Sequence, residues 1–294
     1  MKRSVAFILL IWALLLFSCG ERNNASSSSE NGKTAVLFSS LAQVWLEAGG
    51  SVDITVGETI KRGFAPEGTP LVDDGAGKTI NTELLLSYKP SLVICSSDIT
   101  AQAEVADILE KNGIEVIRLH IEGFEDYLSA LDIMTDITGN KAAYENAVNK
   151  LGASIRTLLQ SEEVKAIWGT EILFVRAGST APSTKSKTSE DHFAAAMLSE
   201  MGCVNIADGA PVSELGMEAI LASDPEYIFF SLMGDEEAAR ANVESLLASE
   251  AWSALTAVKE GNAVILPKEL FHFKPCSRWG DAYEYLADIL RDEE

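Results

Sequence analysis

Cations, histidines and cysteines are scarce in this 294-residue chain, and each scarcity excludes something. Lys and Arg number 23 against 44 Asp and Glu, a formal charge of −21, so a nucleic-acid backbone would be repelled. The three histidines, His120, His192 and His272, lie far apart, and a zinc or manganese site built on histidine would need most of them to converge. The four cysteines, Cys19, Cys95, Cys203 and Cys276, show no C-x-x-C spacing, which argues against structural zinc and against a disulfide framework. Phosphate-binding glycine loops, G-x-S-x-G and H-E-x-x-H are absent too, so neither a cofactor nor a catalytic set is expected.

What is present begins with an exported N-terminus. Met1-Lys2-Arg3 is a basic start and residues 5–17 are an unbroken apolar run, the layout of a secretory signal. Thirteen helical residues reach only about 20 Å, short of the ~30 Å hydrocarbon core, so the run is a poor permanent span. It ends at Leu16-Phe17-Ser18-Cys19-Gly20, which resembles the lipobox of bacterial lipoproteins, where cleavage precedes an acylated Cys. Four serines, Ser26 to Ser29, mark the following stretch as a flexible tether. The expected layout is a signal at 1–18, a lipid-bearing Cys19 opening a tether at 19–32, and a globular remainder. Without Lys2 and Arg3 the chain has 21 cations against 44 anions, −23, so lipid rather than charge would hold it to a membrane.

An internal repeat organises that remainder. Residues 81–98, NTELLLSYKPSLVICSSD, lie over residues 216–233, GMEAILASDPEYIFFSLM, at an offset of 135 that sets Pro90 on Pro225. A short amphipathic helix, a proline that ends it and a buried strand are written twice. Upstream, LEAGGSVDI at 46–54 resembles LSEMGCVNI at 198–206, with Gly50 on Gly202, an offset of 152. Each half opens on an apolar strand, at 35–38 and 172–175, so both read as β-α-β units with parallel sheets. Between them, Tyr144, Val148, Leu151, Ile155, Leu158 and Leu159 recur at helical spacing, enough for a helix of about 30 Å that crosses from one lobe to the other. The expected fold is α/β: a lobe at 33–138, a linker helix at 139–163 and a lobe at 164–294, with a ligand cleft at the carboxyl ends of the strands.

Residues that follow strands are therefore the candidates for ligand contact. In the first lobe these are Ser39 and Ser40, either of which could instead cap a helix, and Ser96, Ser97 and Asp98. In the second they are Arg176, followed by Lys185 and Lys187 in a Ser/Thr-rich loop; Arg176 could equally be an internal ion pair. The stretch 270–279, with Phe271, His272, Phe273, Lys274, Arg278 and Trp279, suits a wall for a large, partly anionic, planar ligand, although Trp279 shares helical spacing with Ala282, Tyr283, Leu286 and Ile289 and reads as core.

The repeated helix-Pro-strand unit, the intervening helix and WSALTAVKEGNAVILP at 252–267 resemble the substrate-binding lipoproteins of ABC importers for iron-siderophores, haem and cobalamin, over roughly residues 33–290. The resemblance implies two Rossmann-like lobes, one rigid connecting helix, modest closure on ligand, and delivery to a membrane permease and its ATPase. It implies a monomer anchored by lipid to the outer face of the cytoplasmic membrane, with a ferric siderophore or haem as cargo and a corrinoid next. For haem, His272 or Met233 would be axial ligands, with Arg176 or Lys274 on the propionates. It also implies an acidic docking residue on each lobe; Glu104 sits near the first position, while Glu190, Asp191 and Glu200 lie near the second. The alternative is an exported α/β enzyme using Ser96, His272 and Asp98, whose spacing does not support a triad.

Overall fold

The computed structural model describes residues 32–74, 79–209 and 216–291. Two sheets stand side by side. In the first, β1 (Thr34–Val36), β2 (Ile54–Thr55), β3 (Leu92–Ser96) and β4 (Glu115–Leu119) run parallel in the order β2-β1-β3-β4. In the second, β5 (Glu171–Ala177) pairs in parallel with β7 (Val204–Asn205) and β8 (Tyr227–Leu232), and β9 (Ala263–Ile265) extends β8. One strand departs from the expected parallel pattern: β6 (Lys185–Ser186) lies antiparallel to the end of β5. It lies only eight residues beyond β5, so the chain returns by a short turn, which only an antiparallel partner permits. Among the described residues, no helix is long and apolar enough to cross a membrane.

The central strands β3 and β8 are buried along their whole length, as parallel strands covered on both faces must be. Alternation then sorts their side chains between cores. Ala35, Val93 and Cys95 face a core private to the first lobe, and Leu173, Ile228 and Phe230 face one private to the second. Val36 and Ile94 from one sheet, with Phe174 and Phe229 from the other, enter a third cluster that both lobes share. Trp279 lies inside it, fully buried and edge-on to Phe124 and Phe193 at 6.5 and 5.6 Å. Its helical spacing had marked it as core, and core it is.

The shared cluster is roofed by two helices. One runs without a break from Lys141–Asn146 through a π turn at Ala147–Leu151 into Gly152–Leu159, and the other is the C-terminal helix Trp279–Arg291. They approach so closely that a Cβ on Gly280 would stand 2.9 Å from Leu151 Cδ1. The crossing from first to second lobe is thus made by a helix of about 28 Å, and the C-terminal segment returns beneath both lobes.

Helix ends show why these elements stop where they do. Asn81 and Asp235 accept the hydrogen bonds of Leu84 N and Ala238 N at 2.9 and 2.8 Å, capping the helices that follow. The second repeat closes its helices with left-handed glycines at an offset one greater than the sequence suggested. Gly49 and Gly202, at φ 89° and 91°, are the equivalent residues, and Gly50 N and Cys203 N bond back to Trp45 O and Leu198 O. Gly50 is needed for another reason: a Cβ there would lie 2.0 Å from the Trp45 ring.

Candidate functional site

Parallel strands deliver their following loops to one edge, and here the two sheets present those edges towards each other. Phe38, Ser40, Ser96, Asp98 and Ile121 of the first lobe, with Lys274 of the C-terminal segment, line a cavity of about 100 Å³. Ligand sites for molecules of drug size run to ~300–1,000 Å³, so this cavity is too small to enclose one.

The contacts that hold the lobes together are specific. The Lys274 ammonium pairs with Glu122 at 2.7 Å and lies over the Phe193 ring, 4.8 Å from its centroid. Burial lowers the Lys274 pKa, and Glu122 opposes that shift. Arg62 lies between Phe64 and Phe273, 4.7 and 3.9 Å from their centroids. It also donates to Ser39 Oγ at 2.9 Å and Ser40 Oγ at 3.3 Å, while Ser39 Oγ donates to Glu58 at 2.9 Å. Ser277 Oγ donates to Glu47 at 2.7 Å, and the buried Cys276 Sγ reaches Ser40 O at 3.6 Å.

The second lobe contributes a cationic edge. Register places Lys185 directly opposite Arg176 across β6 and β5, and both side chains are exposed. Among the described residues neither has an ion pair. His272 is half-buried, with Nδ1 2.7 Å from Leu232 O; a carbonyl only accepts, so Nδ1 carries the proton and Nε2 keeps its lone pair. Burial lowers the His272 pKa, which favours this neutral form.

The expected contact residues thus separate into groups. Ser40, Ser96 and Lys274 share the cavity. Ser39 is fully buried beside it, with its hydroxyl engaged by Glu58 and Arg62. Neither serine caps a helix, since both lie inside the first turn of Ser39–Glu47 and Phe38 is the N-cap. Arg176, Lys185 and His272 belong to the second lobe's edge, while Arg278 pairs at 2.9 Å with Asp281, in the first turn of the C-terminal helix that follows it. Glu104 is exposed on the helix Thr100–Lys111 that follows β3. Cys19 lies outside the described residues. Asp98 pairs with His120 at 2.6 Å, and Ser96 Oγ accepts from Asp98 N at 3.2 Å; no hydrogen bond joins either residue to His272 among the described residues. No three His, Cys, Asp or Glu side chains among them converge as a metal site.

Sequence reasoning missed Arg62, Glu58 and Glu122. Glu122 follows β4 and was within reach of the rule that picks residues after strands. Glu58 and Arg62 follow β2, whose two residues are too few to read as a strand. His192, too, is more than a sequence curiosity: it caps the helix Phe193–Glu200 by accepting from Ala194 N at 3.2 Å.

Known proteins share this architecture. The sequence matches the family described as periplasmic binding protein over residues 35–270. A substrate-binding protein of an ABC transporter from Listeria monocytogenes superposes with a TM-score of 0.72 at 14% identity, covering 90% of this chain and 100% of its own. A periplasmic haem-binding protein from Pseudomonas aeruginosa gives 0.70 at 19%, covering 89% and 93%. The periplasmic vitamin B12 binding protein of Vibrio cholerae gives 0.69 at 18%, covering 88% and 96%. No curated protein sequence matches.

Proposed function

Since the chain belongs to the periplasmic binding proteins, we propose that it is the solute receptor of an ABC importer, capturing a metal chelate outside the cytoplasm and handing it to a permease and its ATPase. The observation that carries the chelate class is the polarity of the cleft. In a chain of net charge −21, Lys274 lines the cavity beside Phe38, Arg62 lies over the Phe273 ring, and Arg176 stands opposite Lys185 at the edge of the second lobe. Cations beside aromatic faces suit an anionic, partly planar solute. A ferric siderophore or haem meets that description best and a corrinoid next. His272 Nε2, unprotonated and half-exposed, is available as an acceptor or as an axial ligand.

In this reading Cys19 carries the lipid that keeps the receptor at the outer face of the membrane. The receptor is a monomer, and Glu104 takes part in docking to the permease. The test is thermal unfolding of the purified protein alone and with haem, ferric siderophores of several classes, cobalamin and simple divalent metals. A ligand that binds only the folded state stabilises it by about 2.7 kcal/mol at 100 times its Kd. A rise with one chelate class names the cargo; no rise with any of them removes the chelate reading.

A further inference from the structure

We propose that Glu122 is a built-in occupant of the cleft's anion site, so that an anionic group on the solute must displace it from Lys274 before the solute seats. This deepens the proposed function and rests on it for the ligand class, while the contact itself stands on geometry. Glu122 belongs to the first lobe and Lys274 to the C-terminal segment, and their 2.7 Å pair is largely withdrawn from water, with side-chain exposures of 33% and 17%.

Glu122 is held for this task. Its backbone N–H and that of Gly123 both donate to the Asp126 carboxylate at 2.9 Å, fixing the turn that opens the helix Phe124–Thr138. The glutamate therefore reaches across from a rigid point. On the other side, the Lys274 ammonium is backed by the Phe193 ring and lines the cavity beside Ser40 and Ser96. Arg176, paired with no carboxylate among the described residues, is close enough for the charge of Glu122 to act on it. Asp98 and Asp126 also act on Lys274, yet among the described residues Glu122 alone makes the ion pair.

Two consequences follow. The cavity of about 100 Å³ is lined by Lys274, so the ammonium that Glu122 holds also borders the space a solute would enter. A solute bearing carboxylate, catecholate or similar oxyanions replaces one charge-assisted contact with another, whereas a neutral solute of the same size must break the pair with no return. Glu122 thereby sets a charge requirement for entry.

The experiment compares wild type, Glu122→Gln and Lys274→Met in titrations with ferric citrate, haem and cyanocobalamin. An anionic probe is expected to bind Glu122→Gln about 5- to 10-fold more tightly than wild type, and Lys274→Met at least 10-fold more weakly, whereas cyanocobalamin, which gains nothing from the ammonium and no longer has to break the pair, is expected to bind both variants more tightly than wild type. Equal or weaker anion binding by a folded Glu122→Gln overturns the proposal. A second arm needs no ligand. Ser97→Cys and Ser179→Cys place spin labels on exposed loops of the two lobes, and the native Cys95, Cys203 and Cys276 are buried. Glu122→Gln is expected to lengthen the distance between the labels. If no chelate binds any variant, the chelate reading falls while this distance still decides whether the Glu122–Lys274 pair holds the lobes together, and an unchanged distribution overturns the proposal.

Discussion

Lys89 and Asp224 stand 135 residues apart and adopt the same left-handed backbone conformation, with φ 52° and 44°. Each lies directly before a proline, Pro90 and Pro225, that is buried. The repeat therefore reaches below composition into backbone geometry: a helix is broken by a non-glycine residue at positive φ, and the chain turns straight into the buried strand of its lobe. Leu85 and Ile220, at the same offset, are the buried residues of the two helices.

A left-handed non-glycine residue costs about 1 kcal/mol, so Lys89→Gly should leave stability unchanged or raise it by up to about 1 kcal/mol in urea unfolding. Asp224→Gly relieves the same conformation but removes a carboxylate that accepts from Thr256 N and Oγ1 at 2.8 and 2.7 Å, and should destabilise. Those bonds hold the Asp224 pKa below the ordinary aspartate value, so its contribution is present above about pH 4 and is lost as pH falls through the lowered pKa. Asp224→Asn should show a shallower acid loss than wild type.

His192 gives the larger pH effect. It is buried between Phe174 and Phe193, at 4.6 and 4.9 Å between centroids, and burial pushes its pKa down to about 3. The unfolded chain takes up a proton near pH 6.5 that the fold refuses, so stability should fall from pH 6.5 towards 3 by about 1.4 kcal/mol per pH unit from this group alone. His192→Asn keeps an N-cap acceptor and should remove one proton from that dependence, measured as urea midpoints between pH 4 and 6.5. An unaltered slope would assign the acid sensitivity elsewhere.

The cross-strand cations Arg176 and Lys185 set stability against binding. Like charges opposite each other in an antiparallel pair are destabilising, and an opposite-charge pair gains roughly 0.2–1 kcal/mol. Lys185→Glu should therefore stabilise the protein slightly and weaken binding of an anionic chelate. Thermal unfolding and titration on the same sample check both signs.

Because Trp279 joins both lobes in one cluster, calorimetry should give a single unfolding transition rather than one for each lobe. Trp279→Ala should cost about 3–5 kcal/mol and lower that transition as a whole. Two resolved peaks in the wild type would show that the lobes fold apart.

The sheets were legible because their signals are local. An apolar run such as Leu92–Ser96 and the proline before it carry the β-α-β reading without any knowledge of neighbours. The antiparallel β6 was not legible, since two residues of a Ser/Thr-rich loop carry no period. The glycine register slipped by one because Gly49 and Gly50 are both required, one for its φ and the other for the ring of Trp45, and only the backbone separates the two reasons. Ser40, Ser96 and Lys274 were found by position after strands or in a polar-aromatic stretch. Arg62 escaped because its surroundings are made by the fold: Phe273 lies 211 residues further on, and nothing near Arg62 announces it.

The π turn at Ala147–Leu151 fixes the phase of the helix that joins the lobes. One residue of an α-helix subtends about 100°, and a π turn inserts one residue beyond the α count, so the half that begins at Gly152 is rotated relative to an unbroken continuation of the first. Ala147 and Ile155 are both buried under that rotated geometry. Deleting one residue of the turn would restore a regular helix at the cost of swinging everything after it around the axis, and the second lobe would then offer its cleft edge in the wrong direction. The mutual aim of the two lobes is thus written in the length of a five-residue turn that lines no part of the cavity beside Lys274.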